Sequence, residues 1–285
     1  MKTVTVSPNA PPALIYISRK RYIYLGRTQL RIRNFHSGAA SLVTSLEGNI
    51  RFQTADDSRW ISVRSMLIPA GARISIDNRE AVISSCYLDA AQPDFLTLKR
   101  QMRGAHGGVY YHHADEQGLV QNLLSLREDT PSLSEAQQRV ESIIYQGASS
   151  ARVHIDPRVH HVVERIRNTA AQNISVSSLA EEVGLSESGL IRLFGQQVGA
   201  PLRKHRLWYR LIDFIILTLS GTPTSAAIKV AGFTDAAHLS RCYSGFFGVN
   251  FSYAFSKSTN VRYIFADTLA QPSAPPPISE RTAAH

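Results

Sequence analysis

Six histidines, His106, His112, His113, His154, His160 and His161, have the widest chemical reach of any group in this chain, and their first use would be a zinc ion. Structural zinc takes four ligands and catalytic zinc three plus water. No cysteine accompanies these histidines. Cys86 and Cys242 lie far apart and fit neither a paired C-x-x-C pattern nor a disulfide framework, so they read as buried free thiols. On a helix the adjacent His112 and His113 would point apart. The histidines are read as surface or capping groups, and no metal and no cofactor are expected. Charge points elsewhere: 31 Lys and Arg against 22 Asp and Glu, a net +9, favours a polyanionic partner.

Two arginines specify that partner. Between 156 and 258 the sequence nearly repeats itself, with Leu190 and Leu239, Arg192 and Arg241, Phe194 and Tyr243, and Gly199 and Gly248 each separated by 49 positions. In each copy a glycine, Gly184 or Gly232, makes the turn that needs positive φ. Ser186 or Asp235 then caps a second helix. Leu190, Leu193 and Phe194, or Leu239, Cys242 and Tyr243, give that helix its buried face. Two tandem helix-turn-helix motifs result. Helical spacing assigns the opposite faces to double-stranded DNA: Ser188, Ile191, Arg192 and Gln196, then Ala236, Ala237, Ser240 and Arg241. Arg can bond guanine O6 and N7 bidentately or hold a phosphate. Ala180 lets the first pair of helices cross closely; Ile228 at the aligned place predicts looser or shifted packing in the second.

The elements before these motifs are of another kind. From Leu14 to about Leu88, short β-prone runs such as Leu14-Ile-Tyr-Ile17, Leu30-Arg-Ile-Arg33 and Ala81-Val-Ile83 alternate with turn residues, as in a β-sandwich or small barrel. Two amphipathic helices follow, broken at Thr130-Pro131. Their apolar positions Leu119, Leu123, Leu126, Val140 and Ile143 are candidates for covering the barrel or for a homodimer interface. Gly147-Ala-Ser-Ser150 suits a linker, and Gln271 to His285, with Pro275-Pro-Pro277, reads as a tail without structure. No apolar run of membrane-spanning length and no signal-peptide block occurs, so a cytoplasmic protein without a membrane partner is expected.

Leu179-Ala180, Gly184-Leu-Ser186, Leu190, Arg192-Leu-Phe194 and Gly199-x-Pro201, then Trp208-x-Arg210-Leu211, and finally Gly232-Phe233-x-Asp235, His238-Leu-Ser-Arg241 and Phe247-Gly248, resemble the AraC/XylS transcription regulators. The resemblance covers about a hundred residues. It implies a joining helix at about 202–218 that sets two reader helices one DNA turn apart on one side of the duplex. It also implies a cupin-like sensor barrel whose two following helices dimerise, with RNA polymerase as a partner. Several positions depart from that pattern. Ser244-Gly245 replaces a basic pair, Phe251, Ala254 and Phe255 replace Pro, Tyr and Arg, and Gly189 and Gly195 soften the first reader. Of the second cupin motif Pro69, Gly71 and Asn78 remain, but Ile74 stands for the metal-binding histidine. The first motif keeps at most His36, with Gly38 where a second His would stand, so the barrel is expected to be metal-free. Arg31 and Arg33 share a strand face and, with His36, are candidate contacts for an acidic effector; the alternative is an exposed basic face.

The expected fold class is thus α+β and multidomain: a cupin-like β barrel with two helices at 1–148, a linker at 149–155, a DNA-binding domain at 156–258 and a mostly disordered tail at 259–285. The expected function is a sequence-specific transcription regulator, an activator, modulated by a small-molecule or protein effector. The rivals are a cupin-type enzyme with an appended DNA-binding module and a nonspecific nucleic-acid packaging protein.

Overall fold

The computed structural model describes residues 11–27, 31–78, 81–146, 154–249, 251, 255 and 260–265. The N-terminal unit runs β1 (Ala13–Ile17), β2 (Tyr22–Arg27), β3 (Arg31–His36), β4 (Ser41–Ser45), β5 (Ile50–Thr54), β6 (Ile61–Val63), β7 (Ser65–Ile68), β8 (Arg73–Asp77) and β9 (Val82–Tyr87). It continues with α1 (Asp94–Gln101), a hairpin of β10 (Met102–His106) and β11 (Val109–His113), and helices α2 (Glu116–Asp129) and α3 (Leu133–Tyr145). The strands form two sheets. One has the order β10-β11-β7-β4-β9-β2-β1-β12, where β12 (Val261–Phe265) comes from the far end of the chain, and the other is β3-β8-β5-β6.

Between the sheets lies a core of Val43, Met66, Ile68 and Ile83 from the larger and Ile50, Phe52, Val63, Ile74 and Ile76 from the smaller. Ile74, where a metal-binding histidine would stand, is one of these core residues. The other face of the larger sheet is covered by α2 and α3. Leu119, Leu123, Leu126, Val140 and Ile143 are all buried there against Leu14, Tyr16, Ile23, Leu42 and Leu67. This corrects their assignment to a homodimer interface: the apolar stripe of the helical pair is used up inside one chain, and a second copy cannot also have it. The helix ends are well specified. Asp115 accepts from Gly118 N at 2.9 Å, and Ser132 and Glu135 form a capping box.

The C-terminal unit is helical: α4 (Pro157–Asn168), α5 (Val176–Glu182), α6 (Glu187–Val198), α7 (Leu202–Leu219), α8 (Thr224–Val230) and α9 (Ala236–Phe247). It packs on the N-terminal unit through one continuous apolar cluster. Ile15, Ile17, Tyr22 and Tyr87 of the sheet meet Trp208, Phe246 and other residues of the helices. The Tyr87 and Trp208 rings stack 4.8 Å apart, and Arg19 grips Asp213 through two bonds of 2.7 and 2.9 Å. Arg167 pairs with the buried Asp89 across the same joint. β1 therefore has both faces buried, Leu14 and Tyr16 under the helical pair and Ile15 and Ile17 under the C-terminal unit. Its unbroken apolar sequence is what such a strand needs.

Two expectations are corrected by this arrangement. His112 and His113 stand on β11, with Val109 and the two tyrosines, and not on a helix. The segment 259–285, expected to be mostly without structure, holds the five-residue strand β12; its residues 266–285 lie outside the described residues, as do 149–153 of the expected linker, 149–155.

His205, on α7, is buried at the joint, where loss of water and the nearby Arg167 charge hold its pKa down to about 3. The unfolded chain has the ordinary value of 6.5 and takes up a proton that the folded one refuses. Stability must therefore fall as pH drops from 6.5 toward 3, by up to ~1.4 kcal/mol per pH unit from this group. His205→Phe, whose ring would lie between Phe194 and Tyr209 as the imidazole does, is expected to lose less stability than the parent between pH 7 and pH 4.5 in urea titrations. Equal losses would overturn the assignment.

Candidate nucleic-acid interface

Each motif is built from the same backbone devices. In the first, Leu185 N donates to Ala180 O at 2.9 Å and Gly184 N to Glu181 O at 3.1 Å; in the second, Phe233 N donates to Ile228 O and Gly232 N to Lys229 O, both at 3.0 Å. Gly184 and Gly232 have φ of 65° and 84°, the left-handed region that favours glycine. A Cβ on Gly232 would also come within 2.8 Å of the Ala171 backbone. Ser186 accepts from Gly189 N at 3.1 Å, and Asp235 from His238 N at 2.7 Å. Gly199 and Gly248 then close α6 and α9 in the same left-handed conformation.

The repeat is offset by 48 positions from α5 to α8 and by 49 from α6 to α9, so the second turn is one residue longer, from Gly232 to Asp235 against Gly184 to Ser186. Ala227 is the fully buried small residue of α8, beside the bulkier Ile228. At this offset Ile228 takes the place of Ala180 and Ala227 that of Leu179, so the pair of large and small buried residues is reversed between α5 and α8.

α7, 18 residues and so roughly 27 Å long, joins the two motifs. Its inner face buries Leu211, Ile212, Phe214 and Ile215. Arg210, also on α7, donates from Nε to Ala170 O and from Nη2 to Asn173 Oδ1, both at 2.7 Å, which fixes the loop after α4. That loop lies against Gly232, so one arginine ties the first helix of the unit to the turn of the second motif.

The structure places all eight expected contact residues on the outside. Ser188, Ile191, Arg192 and Gln196 are exposed on α6, Ile191 by 55%, and Ala236, Ala237, Ser240 and Arg241 are exposed on α9. Leu190 and Phe194, or Leu239, Tyr243 and Phe246, hold the opposite faces in the core. Cys242 is half-buried rather than part of that core. Two further exposed cations near the second reader were not singled out from the sequence. Arg203, at the start of α7, lies close enough to act on the Cys242 thiol together with Arg241, and Lys229 stands in the last turn of α8. Cations in the last and first turns of neighbouring helices were the available signal.

The N-terminal candidates fare differently. Arg33 is exposed and lines a cavity of about 190 Å³ on the smaller sheet with Arg51, Trp60 and Asp77. Arg51 pairs with Asp77 at 2.5 Å and lies 5.4 Å from the ring centre of Trp60, an exposed residue of the cavity wall. The side chains of Arg31 and His36 lie outside the described residues. His106 meets Asp57 at 3.0 Å, and His113 meets Gln101 at 2.7 Å. His161 meets Glu182 at 3.2 Å, between α4 and α5. Among the described residues no three His, Cys, Asp or Glu side chains are grouped as metal ligands, and no helix is long and apolar enough to cross a membrane.

This order of elements, a two-sheet unit with a helical pair followed by a bipartite helical unit, recurs in ToxT from Vibrio cholerae. That structure superposes with a TM-score of 0.53 over 83% of this chain and 97% of its own, at 13% identity. The chain has the ToxT fold. ToxT solved with an unsaturated fatty acid bound gives a TM-score of 0.52 over 87% of this chain and 96% of that one, at 11% identity. A probable AraC family transcriptional regulator from Rhodopseudomonas palustris matches 36% of this chain and 98% of its own, at 25% identity and a TM-score of 0.33. No protein-family model and no curated protein matches the sequence. What the chain shares with ToxT at 13% identity is the fold.

Proposed function

We propose that the chain is an AraC/XylS-type transcription regulator that reads double-stranded DNA with α6 and α9 in successive major grooves. One observation carries the reading: two capped helices, related by a 49-residue repeat, present an exposed arginine at the same helical position, Arg192 and Arg241. The net charge of +9 supports it, and so does the ~27 Å of α7, comparable to the ~34 Å helical repeat of DNA. The N-terminal unit takes the effector, with Arg33 a polar contact for an acidic one in the cavity on the smaller sheet, beside the Arg51–Asp77 pair. That ToxT was solved with a fatty acid supports a small molecule in this role. Activation then works through contact with RNA polymerase, and any pairing of two copies uses a surface other than the inner stripe of α2 and α3.

Arg192→Ala or Arg241→Ala is expected to weaken binding to DNA fragments selected by the intact protein by 1–3 kcal/mol, about 5- to 150-fold, without changing the melting temperature. Binding of random DNA should change much less. Unaltered affinity for the selected fragments in an anisotropy titration sinks the assignment of that residue, and equal affinity for selected and random DNA sinks specific reading altogether.

A further inference from the structure

The chain continues past the second motif along an aromatic track. After Gly248 closes α9, Phe251 packs 5.3 Å from Phe214 and 5.5 Å from Tyr243, Phe255 lies 4.7 Å from Phe251, and Tyr263 stacks on Phe255 at 5.9 Å with the planes 13° apart. Phe251 and Phe255 are two of the positions at which the sequence departs from the AraC/XylS pattern. The track delivers β12 to the open edge of β1. There all five residues pair in parallel, from Ala13 opposite Val261 to Ile17 opposite Phe265, and Ala13 N donates to Asn260 O at 2.9 Å. Ile264 joins the core under α2 and α3, whereas Val261, Tyr263 and Phe265 join the core shared with the helical unit.

The β1–β2 hairpin is thereby held by the C-terminal unit from three directions. β12 takes its outer edge, Arg19 in its turn grips Asp213, and Tyr22 packs on Trp208 and Phe247. The three holds differ in strength. β12 is an edge strand of five residues with a single hydrogen-bonded neighbour, and none of its residues is fully buried. Such an element opens at lower free energy than the central strands, and each unit keeps a core of its own when it does.

We propose that β12 is a latch: seated on β1, it fixes the two helix-turn-helix motifs in one orientation to the N-terminal unit, and its release frees them to move. The latch is a statement about the joint alone, whereas its regulatory use rests on the DNA-binding reading above. In that use an effector that loosens β1 changes the placement of the readers, not their structure.

Trp208 is a built-in reporter, buried at the joint with 5% exposure, and the chain has one other tryptophan, the exposed Trp60. In full-length protein carrying Trp60→Phe, the further change Ile264→Pro places in β12 a residue with no amide hydrogen and a fixed φ, at a position whose amide faces β1 in the parallel register, so a ladder bond to β1 is lost. Expected are a tenfold or greater loss of hydrogen-exchange protection at the amides of Ala13, Ile15 and Ile17, which alternate with those facing β2 and point to β12, a several-fold rise in acrylamide quenching of Trp208, and unchanged helical circular dichroism. Adding a peptide of residues 258–268 should restore the shielding. Trp208 that stays shielded while β1 amides exchange fast overturns the latch. If Ile264→Pro lowers the helical signal, the milder Tyr263→Ser must show raised quenching with helices intact, and its failure to do so counts equally against the proposal. All of these are read without DNA, so failure of the latch and failure of the DNA-binding reading are separate results.

Discussion

Replacing Arg21 by methionine is expected to lower the stability of the chain by about 3–5 kcal/mol, the usual cost of breaking one side of a buried ion pair. Arg21 follows the turn between β1 and β2, with its guanidinium almost fully enclosed. It meets the wholly buried carboxylate of Asp94 at 2.7 Å. That carboxylate also accepts from the Tyr145 hydroxyl at 2.7 Å and from Asp89 N at 3.1 Å. A single charge pair thus fastens the β1–β2 turn, the start of α1 and the last residue of α3. Without Arg21 the remaining donors are neutral, and a carboxylate stays in an apolar interior without its countercharge. Removing both partners by Arg21→Met with Asp94→Leu should recover part of the loss, because no charge is then stranded. Urea unfolding at neutral pH reads both variants. A loss below about 1 kcal/mol for Arg21→Met would mean that water reaches Asp94 and that this cluster is looser than the geometry implies.

A second large effect is expected at Leu123. It is 2% exposed in the core beneath the larger sheet, so Leu123→Asp combines a lost apolar side chain with a buried, unpaired charge. The expected cost exceeds about 4 kcal/mol, a large share of the stability of a domain, and the product should be unfolded or aggregated chain. Gln121→Asp, one turn face away and exposed, should stay within about 0.5 kcal/mol of the parent. If these residues formed a dimer interface instead, Leu123→Asp would give a folded monomer with native circular dichroism. That result by sedimentation and melting would overturn the packing of α2 on the sheet.

The two motifs were legible in the sequence because everything that defines them is local. Gly184, Ser186 and Gly199, like Gly232, Asp235 and Gly248, act within one or two turns of their own helix, and the apolar period names the buried face directly. The exposed set on α6 and α9 follows by elimination, and the structure leaves all eight residues outside. The helical pair shows the limit of the same reasoning. Periodicity finds the stripe of Leu119, Leu123, Leu126, Val140 and Ile143 but cannot say whether a sheet or a second chain covers it, since both are apolar. The β10–β11 hairpin escaped because its two strands, Met-Arg-Gly-Ala-His and Val-Tyr-Tyr-His-His, have little apolar alternation.

By itself the sequence determined two capped, glycine-turned motifs with an arginine at one shared position, a β-rich unit before them, and a basic balance suited to a polyanion. Each of these rests on spacing within a few residues, where chain connectivity already brings the groups together. Only the tertiary structure decided that the stripe of α2 and α3 is interior, that Arg21, Asp94 and Tyr145 form one buried cluster, and that β12 returns to β1 across most of the chain. Those contacts join residues whose separation along the sequence carries no signal, and they are selected by which apolar faces remain uncovered once the local elements have formed. The readers are therefore set by local chemistry, and the orientation in which they are held is set by the sheet edge that a distant strand completes.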